Sequence, residues 1–213
     1  MNNQEIFARN REKFARFYNR TGHLTAEKIT RGHGRDHDLM VAQYGAMIAE
    51  SERVGEMAWC AALVHSFDRY YSSGEVNTLT EVCLGLLDPE FSPDELGEIL
   101  VAVRDHSKPN DPFDSPTLIV LKDADRLANS TASVLFRVGQ HRSNIPACIP
   151  EYLGRLHPDS TFRNPKSCYD ALWFNFEWEA MLRLPKAKQI GVEKFDFLEK
   201  FIRRVETEFR EVG

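Results

Sequence analysis

The sequence predicts an all-α protein, a single-domain helical bundle. Three observations carry that prediction. Apolar residues recur at spacings of three and four in several long segments, as one face of a helix requires. No segment alternates apolar and polar residues in the manner of a half-buried strand. Prolines cluster in two stretches, at Pro109, Pro112 and Pro116 and again at Pro146, Pro150, Pro158 and Pro165, leaving the segments between them free to be helical.

In chain order, residues 3–20 read as an amphipathic helix with Ile6, Phe7, Phe14, Phe17 and Tyr18 on or near one face. The stretch from Lys28 to Asp36 contains Gly32 and Gly34 and reads as a loop. A second helix is expected from Asp36 to Glu52. The run MAWCAALVHSFDRYY is apolar nearly all round and rich in alanine up to His65, which places it in the middle of a bundle where small residues permit close approach. Two helices are expected over residues 75–87 and 93–106; in the second, Pro93 follows the capping residue Ser92 and occupies the first helical position. A proline-containing loop then leads to a long helix from Thr117 to Gly139. Residues 140–166 form a long loop, and two helices, 167–184 and 191–211, close the chain. In the last, Phe195, Leu198, Ile202, Val205 and Phe209 make one apolar stripe.

With 213 residues and 42% of them hydrophobic, the chain is long and apolar enough for one packed domain. Its formal net charge of -5 argues against an extended nucleic-acid surface. The charged N-terminus lacks the apolar core of a signal peptide, and no apolar run reaches the length of a membrane span. Cys60, Cys83, Cys148 and Cys168 are far apart, form no CxxC pair and read as thiols of a reduced compartment. The expected location is the cytoplasm, without a membrane partner.

Three places combine residues able to carry metal chemistry. His33 and His37 stand four apart at a helix start, with Gly34 between them, so His37 is the better placed; alternatively both are solvated histidines. His65 closes the apolar run AWCAALVH, where a polar ring needs a partner, either a metal ion or a hydrogen bond in the core. In LKDADRLAN, Asp123 and Asp125 follow the apolar run LIVL. Asp125 lies deeper in the helix, whereas Asp123 reads as a favourable first-turn charge.

These three motifs, in this order, resemble the HD superfamily of metal-dependent phosphohydrolases, in the manner of small bacterial HD-domain proteins. HGRDHDLMV is similar to the pattern HGxDHxxRV, WCAALVHSF to xxAALLHDI, and KDADRLAN to the DADRL or LADRLHN segment. The likeness covers residues 25–140, and more weakly the stretch EAMLRLP and the final helix. It implies an HD-type metal-site core over residues 25–140, an N-terminal helix over 1–24 packed on it, and residues 141–213 completing the same domain.

The resemblance further implies His37, His65 and Asp125 as metal ligands, holding a divalent ion such as manganese, magnesium, iron, nickel or zinc. This chain departs from the pattern at two positions. The aspartate of the His-Asp doublet is Ser66, a neutral and weaker ligand, so the three ligands carry one negative charge and metal occupancy is weakened. The arginine of HxxRV is Met40. Asp68, three residues after His65, either compensates near the ion or pairs with Arg69. The resemblance also implies a pocket-lining or second-metal role for His106, whose alternative is an exposed helix-end histidine.

Phosphate recognition calls for cations, and Arg31, Arg35, Lys108, Arg126, Arg142 and Arg163 fall in or near the loops expected around the site. The expected division assigns Arg35, Lys108 and Arg142 to substrate and Asp68, His106 and Arg126 to catalysis. The 140–166 loop is expected to be a lid or substrate wall, or else a homodimer contact through Ile145, Ile149, Tyr152 and Leu153.

Three functions follow as expectations. The first is hydrolysis of a phosphate ester in a nucleotide or related small molecule. The second is a degenerate HD domain that binds a ligand or partner without turnover, motivated by Ser66. A di-iron oxygenase ranks last, because His106 is the sole histidine between Ser66 and Asp125.

Overall fold

A computed structural model describes residues 2–26, 32 and 34–212 of the chain. Most of the described residues are helical, with no strand among them, so the all-α prediction holds. The chain divides into two compact units, residues 1–128 and 129–213.

The first unit opens with α1 (Asn3–Lys13), whose start follows from Asn2. Its side chain accepts from the Gln4 and Glu5 amides, and Glu5 reaches back to the Asn2 amide, a complete capping box. The single helix expected over 3–20 is broken at Phe14 and resumes as α2 (Ala15–Ala26). Tertiary packing accounts for the break. The Phe14 ring is buried, stacks on Phe91 with centroids 5.4 Å apart, and leans on Trp59 at 5.8 Å.

Helix α3 (Arg35–Ile48) starts from the extended Gly34, and α4 (Glu52–Ala62) starts from Ser51, whose hydroxyl accepts from the Val54 amide. The two helices approach closely: a Cβ on Gly45 would lie 3.4 Å from the Ala58 Cβ. Residues Met57–Ala62 of α4 are buried without exception, as their composition requires. The helix ends at Ala62, earlier than expected. The Leu63 and Val64 amides donate to Cys60 and Ala61 in a tightened last turn, and the chain bends through Ser66 into the short α5 (Phe67–Tyr70).

Next come α6 (Ser73–Leu84), capped by the Ser72–Glu75 pair, and α7 (Pro93–Asp105), with Ser92 and Glu95 forming its capping box and Pro93 in the first turn as predicted. Helix α8 (Pro116–Ala128) packs against α3, α4 and α7.

One buried ion pair ties α8 to the loop before it. Lys122 is 2% exposed, and its ammonium donates to Asp114 and to the Pro109 carbonyl, each at 2.8 Å. Breaking a buried pair from one side costs more than the pair contributes, because a desolvated charge stays behind. Lys122→Ala is therefore expected to lower unfolding stability by about 3 kcal/mol, read as a shift of the urea midpoint. A loss under about 0.5 kcal/mol would show that this pair behaves as a solvated one.

The helix expected over 117–139 is two helices, α8 and α9 (Val134–His141). Between them lie Asn129, Ser130, Thr131 and Ser133, polar side chains that offer the backbone alternative hydrogen bonds. The boundary between the units falls here.

In the second unit, the region expected as one helix over 167–184 is α10 (Cys168–Phe174) and α11 (Phe176–Met181), parted at Asn175. Helix α12 (Pro185–Val212) begins earlier than Gly191, with proline at its first position. Gly191 lies inside it, at a place where a Cβ would come within 2.9 Å of the Leu182 side chain. Val134, Tyr169, Leu172, Leu198 and Ile202 form the core of this unit. Phe209, expected on the same stripe, is 44% exposed. The 140–166 segment is long and ordered by polar anchors: the Tyr169 hydroxyl accepts from the Gly154 amide and donates to Glu206, and Asp170 accepts from the Ser160 hydroxyl. Leu153 packs against this core. No helix among the described residues is long and apolar enough to cross a membrane, and the four cysteines are unpaired thiols.

Candidate metal centre

Three side chains converge inside the first unit. His37 comes from the first turn of α3, His65 from the turn after α4, and Asp125 from α8, which are mutually packed helices. One donor atom of each lies within 4.8 Å of the other two. The His37 Nε2 is 3.1 Å from Asp125 Oδ1, and the His65 Nε2 is 3.9 Å from the same oxygen. Both histidines are buried, while Asp125 is about a quarter exposed at 26%. The site therefore has a protein side and a solvent side.

The early end of α4 sets the chemistry of His65. In the bend, its Nδ1 lies 2.6 Å from the Ala62 carbonyl. A carbonyl only accepts, so Nδ1 carries the proton and Nε2 presents a lone pair toward Asp125. His106 repeats the arrangement, with Nδ1 donating to the Val103 carbonyl at 2.7 Å and its ring 5.1 Å from that of His65.

The electrostatics agree with a ligand set of neutral imidazole and anionic carboxylate. Burial, reinforced by the neighbouring His106 and His37 rings, pushes the His65 imidazolium down to about 3. For Asp125, burial pushes the carboxyl up, but the hydrogen bond from His37 and the nearby His37, His65 and His106 rings outweigh it and hold the group well below the usual carboxylate range. Two imidazole nitrogens and one carboxylate oxygen, with an open side, make a set of the kind that holds a divalent ion.

The remaining candidates are placed as follows. Ser66 is buried, with its hydroxyl 3.1 Å from His65 Nε2. Asp68 lies outside the cluster: because α4 ends at Ala62, no continuous helix carries Asp68 onto the His65 face. It is half exposed and faces Arg69 at 3.6 Å. His106 is brought beside His65, as described. Arg126 is buried and ties α8 to the preceding loop, donating to Asp123 at 3.3 Å and to Asn110 at 2.8 Å. Arg35 turns inward, over the Tyr18 ring at 5.0 Å and onto the Tyr18 carbonyl at 3.3 Å, and burial lowers its guanidinium pKa. Lys108 pairs with Asp105 at 2.8 Å; bonds from Arg104 and Lys108 hold that carboxyl well below its ordinary range. Arg142 belongs to the second unit, at the end of α9, and Arg163 is an exposed residue of the same unit. His33 and Arg31 lie outside the described residues.

One residue of this neighbourhood escaped the sequence reading. Asp38 is fully buried, with Oδ1 3.7 Å from His65 Nδ1 and Oδ2 receiving the Tyr70 hydroxyl at 3.4 Å. Burial pushes its carboxyl up to about 7, against the pull of the Ser66 hydroxyl, Arg35 and Tyr70. In the sequence it is an acid in the first turn of a helix, where carboxylates are common for electrostatic reasons alone. Only its position next to His37 hinted at more.

No family model matches the chain, and no curated protein does. Among solved structures the chain is similar to a structural-genomics target from Lactobacillus plantarum, with 17% identity, 93% of this chain and 95% of that one covered, and a TM-score of 0.69. It is also similar to the Lin1889 protein from Listeria innocua, with 19% identity, 99% and 98% covered, and a TM-score of 0.63. At these identities the likeness shows the fold, an all-helical one shared over nearly the whole chain.

Proposed function

We propose that this chain is a metal-dependent phosphohydrolase of the HD type, acting in the cytoplasm on a phosphate ester of a nucleotide or related small molecule. The observation that carries the reading is the convergence of His37, His65 and Asp125 donors within 4.8 Å. A divalent ion bound there would polarise a phosphoryl oxygen and acidify a water. The residues supply the rest. The Ala62 carbonyl holds His65 in the tautomer whose Nε2 is a ligand. The Val103 carbonyl does the same for His106, which leaves its Nε2 as a proton acceptor beside the site, the property a general base needs. Asp125 supplies the negative charge.

A second reading is favoured by one observation, the buried Ser66 against His65 Nε2. With a neutral hydroxyl there, the site holds its ion weakly, and the domain binds a ligand without turnover.

Elemental analysis of protein purified without chelator, followed by a phosphatase panel with added manganese, tests the first reading. Bound divalent metal and release of phosphate from at least one ester are expected. An apo protein that hydrolyses nothing with manganese present would overturn it. Ser66→Asp separates the two readings: metal occupancy and turnover that appear only in the variant support the second, whereas full occupancy and turnover in the unmodified chain exclude it.

A further inference from the structure

We propose that Arg126 and Lys122 are positioning residues: together they clamp the turn after His106 onto α8 and so fix His106 relative to Asp125. The inference rests on the reading of His106 as a general base given above and deepens it.

His106 caps the C-terminal end of α7. The chain that leaves it is short and constrained. The Lys108 amide donates to the Asp105 carbonyl at 3.0 Å, closing a turn around His106, and the Lys108 ammonium meets the Asp105 carboxylate at 2.8 Å. The next two residues are held by α8. Lys122 donates to the Pro109 carbonyl at 2.8 Å, and Arg126 donates to Asn110 Oδ1 at 2.8 Å. Lys122 and Arg126 stand four apart, so they share a face of α8, and Asp125 lies between them in the chain. One helix thus supplies a ligand and grips the segment that follows the third imidazole.

Each clamp residue also has an anionic partner. Lys122 meets Asp114 at 2.8 Å, and Arg126 meets Asp123 at 3.3 Å. Lys122, Arg126 and Asp123 are buried, and the Asp114 side chain is 6% exposed. Burying four charges is costly, and apolar residues of similar volume would stabilise the fold as well. What directed bonds add is one fixed register between α8 and the turn. A general base needs that, because it must sit within hydrogen-bond reach of the proton it removes. Misplacement by about 1 Å costs about a hundredfold in rate. The competing role, a network that only stabilises the fold, makes no demand on His106.

The test uses the full chain with isotope-labelled histidine. In the metal-free protein, nuclear Overhauser contacts between the His65 and His106 rings, whose centroids are 5.1 Å apart, report where His106 sits. The thermal midpoint, and kcat and KM with Mn²⁺ for the ester hydrolysed in the phosphatase panel, are recorded for each variant. Asn110→Ala leaves both ion pairs in place and removes the loop end of the Arg126 clamp. It is expected to weaken the ring contacts and to lower kcat about tenfold, with KM and the thermal midpoint little changed. Asn110→Asp, whose carboxylate also accepts from Arg126, is expected to restore both. Lys122→Met combined with Asp114→Leu replaces the buried pair by apolar residues. That double variant is expected to keep its thermal midpoint, to lose ring contacts, and to lower kcat by about ten- to a hundredfold.

Ring contacts like those of the unmodified chain in both Asn110→Ala and the double variant overturn the proposal. Unchanged kcat in variants that have lost the ring contacts overturns it too. Should the double variant fail to fold, Asn110→Ala, at an exposed position, decides alone. An unmodified chain without turnover removes the phosphohydrolase reading, whereas the ring contacts, measured without metal, still show whether the clamp holds His106.

Discussion

Asp125→Asn is expected to lower the affinity for a divalent ion by at least about a hundredfold, the upper end of what losing a supporting residue costs. Asparagine keeps the shape of the side chain but removes the anionic oxygen that lies between His37 Nε2 and His65 Nε2. In the unmodified chain an ion must displace the proton that links His37 to Asp125, so binding should release a proton and weaken as pH falls. Titrations at two pH values in buffers of different ionisation enthalpy would measure both effects. Binding by Asp125→Asn as tight as by the unmodified chain would eliminate Asp125 as a ligand.

The same substitution has a second signature in the metal-free protein. The Asp125 carboxyl is held below its ordinary value of 3.8. A carboxylate depressed on folding stabilises the fold above the unfolded pKa, and that contribution is lost as pH falls below it. Asp125→Asn should therefore be less stable than the unmodified chain near neutrality, with the difference shrinking below about pH 4. Denaturant midpoints across that range are the measurement. A gap that stays constant with pH would mean that the ionised form of Asp125 gains nothing in the folded state.

Trp59→Ala is expected to cost about 3–5 kcal/mol of stability, as large aromatic truncations in cores do. Trp59 is 0% exposed and has the rings of Phe7, Phe14 and Tyr18 around it at 5.8–6.3 Å. It joins the N-terminal helices to α4, the helix that delivers His65. Trp59→Phe should cost much less, about 1–2 kcal/mol. Phenylalanine keeps part of the ring contact, and the indole N–H has no hydrogen-bond partner among the described residues to be stranded. Equal losses for the two variants in urea denaturation would show that the indole is held by something other than ring packing.

The helix class and most helix starts were legible because their causes are local. Ser92-Pro93 and the buried run MAWCAALV state their structure within a few residues. The chemical content of the site was legible in part for the same reason, as imidazoles and an acid at the ends of apolar runs. Where elements end was less legible. The break at Phe14 depends on Phe91 and Trp59, far away in sequence, and the close fit that leaves no room for a side chain at Gly191 depends on Leu182. Phe209 repeats at the right spacing for burial but is half exposed, whereas Leu198 and Ile202 earlier on the same stripe are buried.

The sequence by itself determined an all-helical chain and named His37, His65 and Asp125, because helical periodicity and residue chemistry are written locally. Tertiary structure decided what those residues can do. The end of α4 at Ala62 aims His65 Nε2 at Asp125 and leaves Asp68 with Arg69, and packing buries Asp38 beside His65 and Ser66. Each of these outcomes depends on where one helix stops against another. That is a property of side-chain volumes meeting across the core, and spacing along a single chain segment does not contain it.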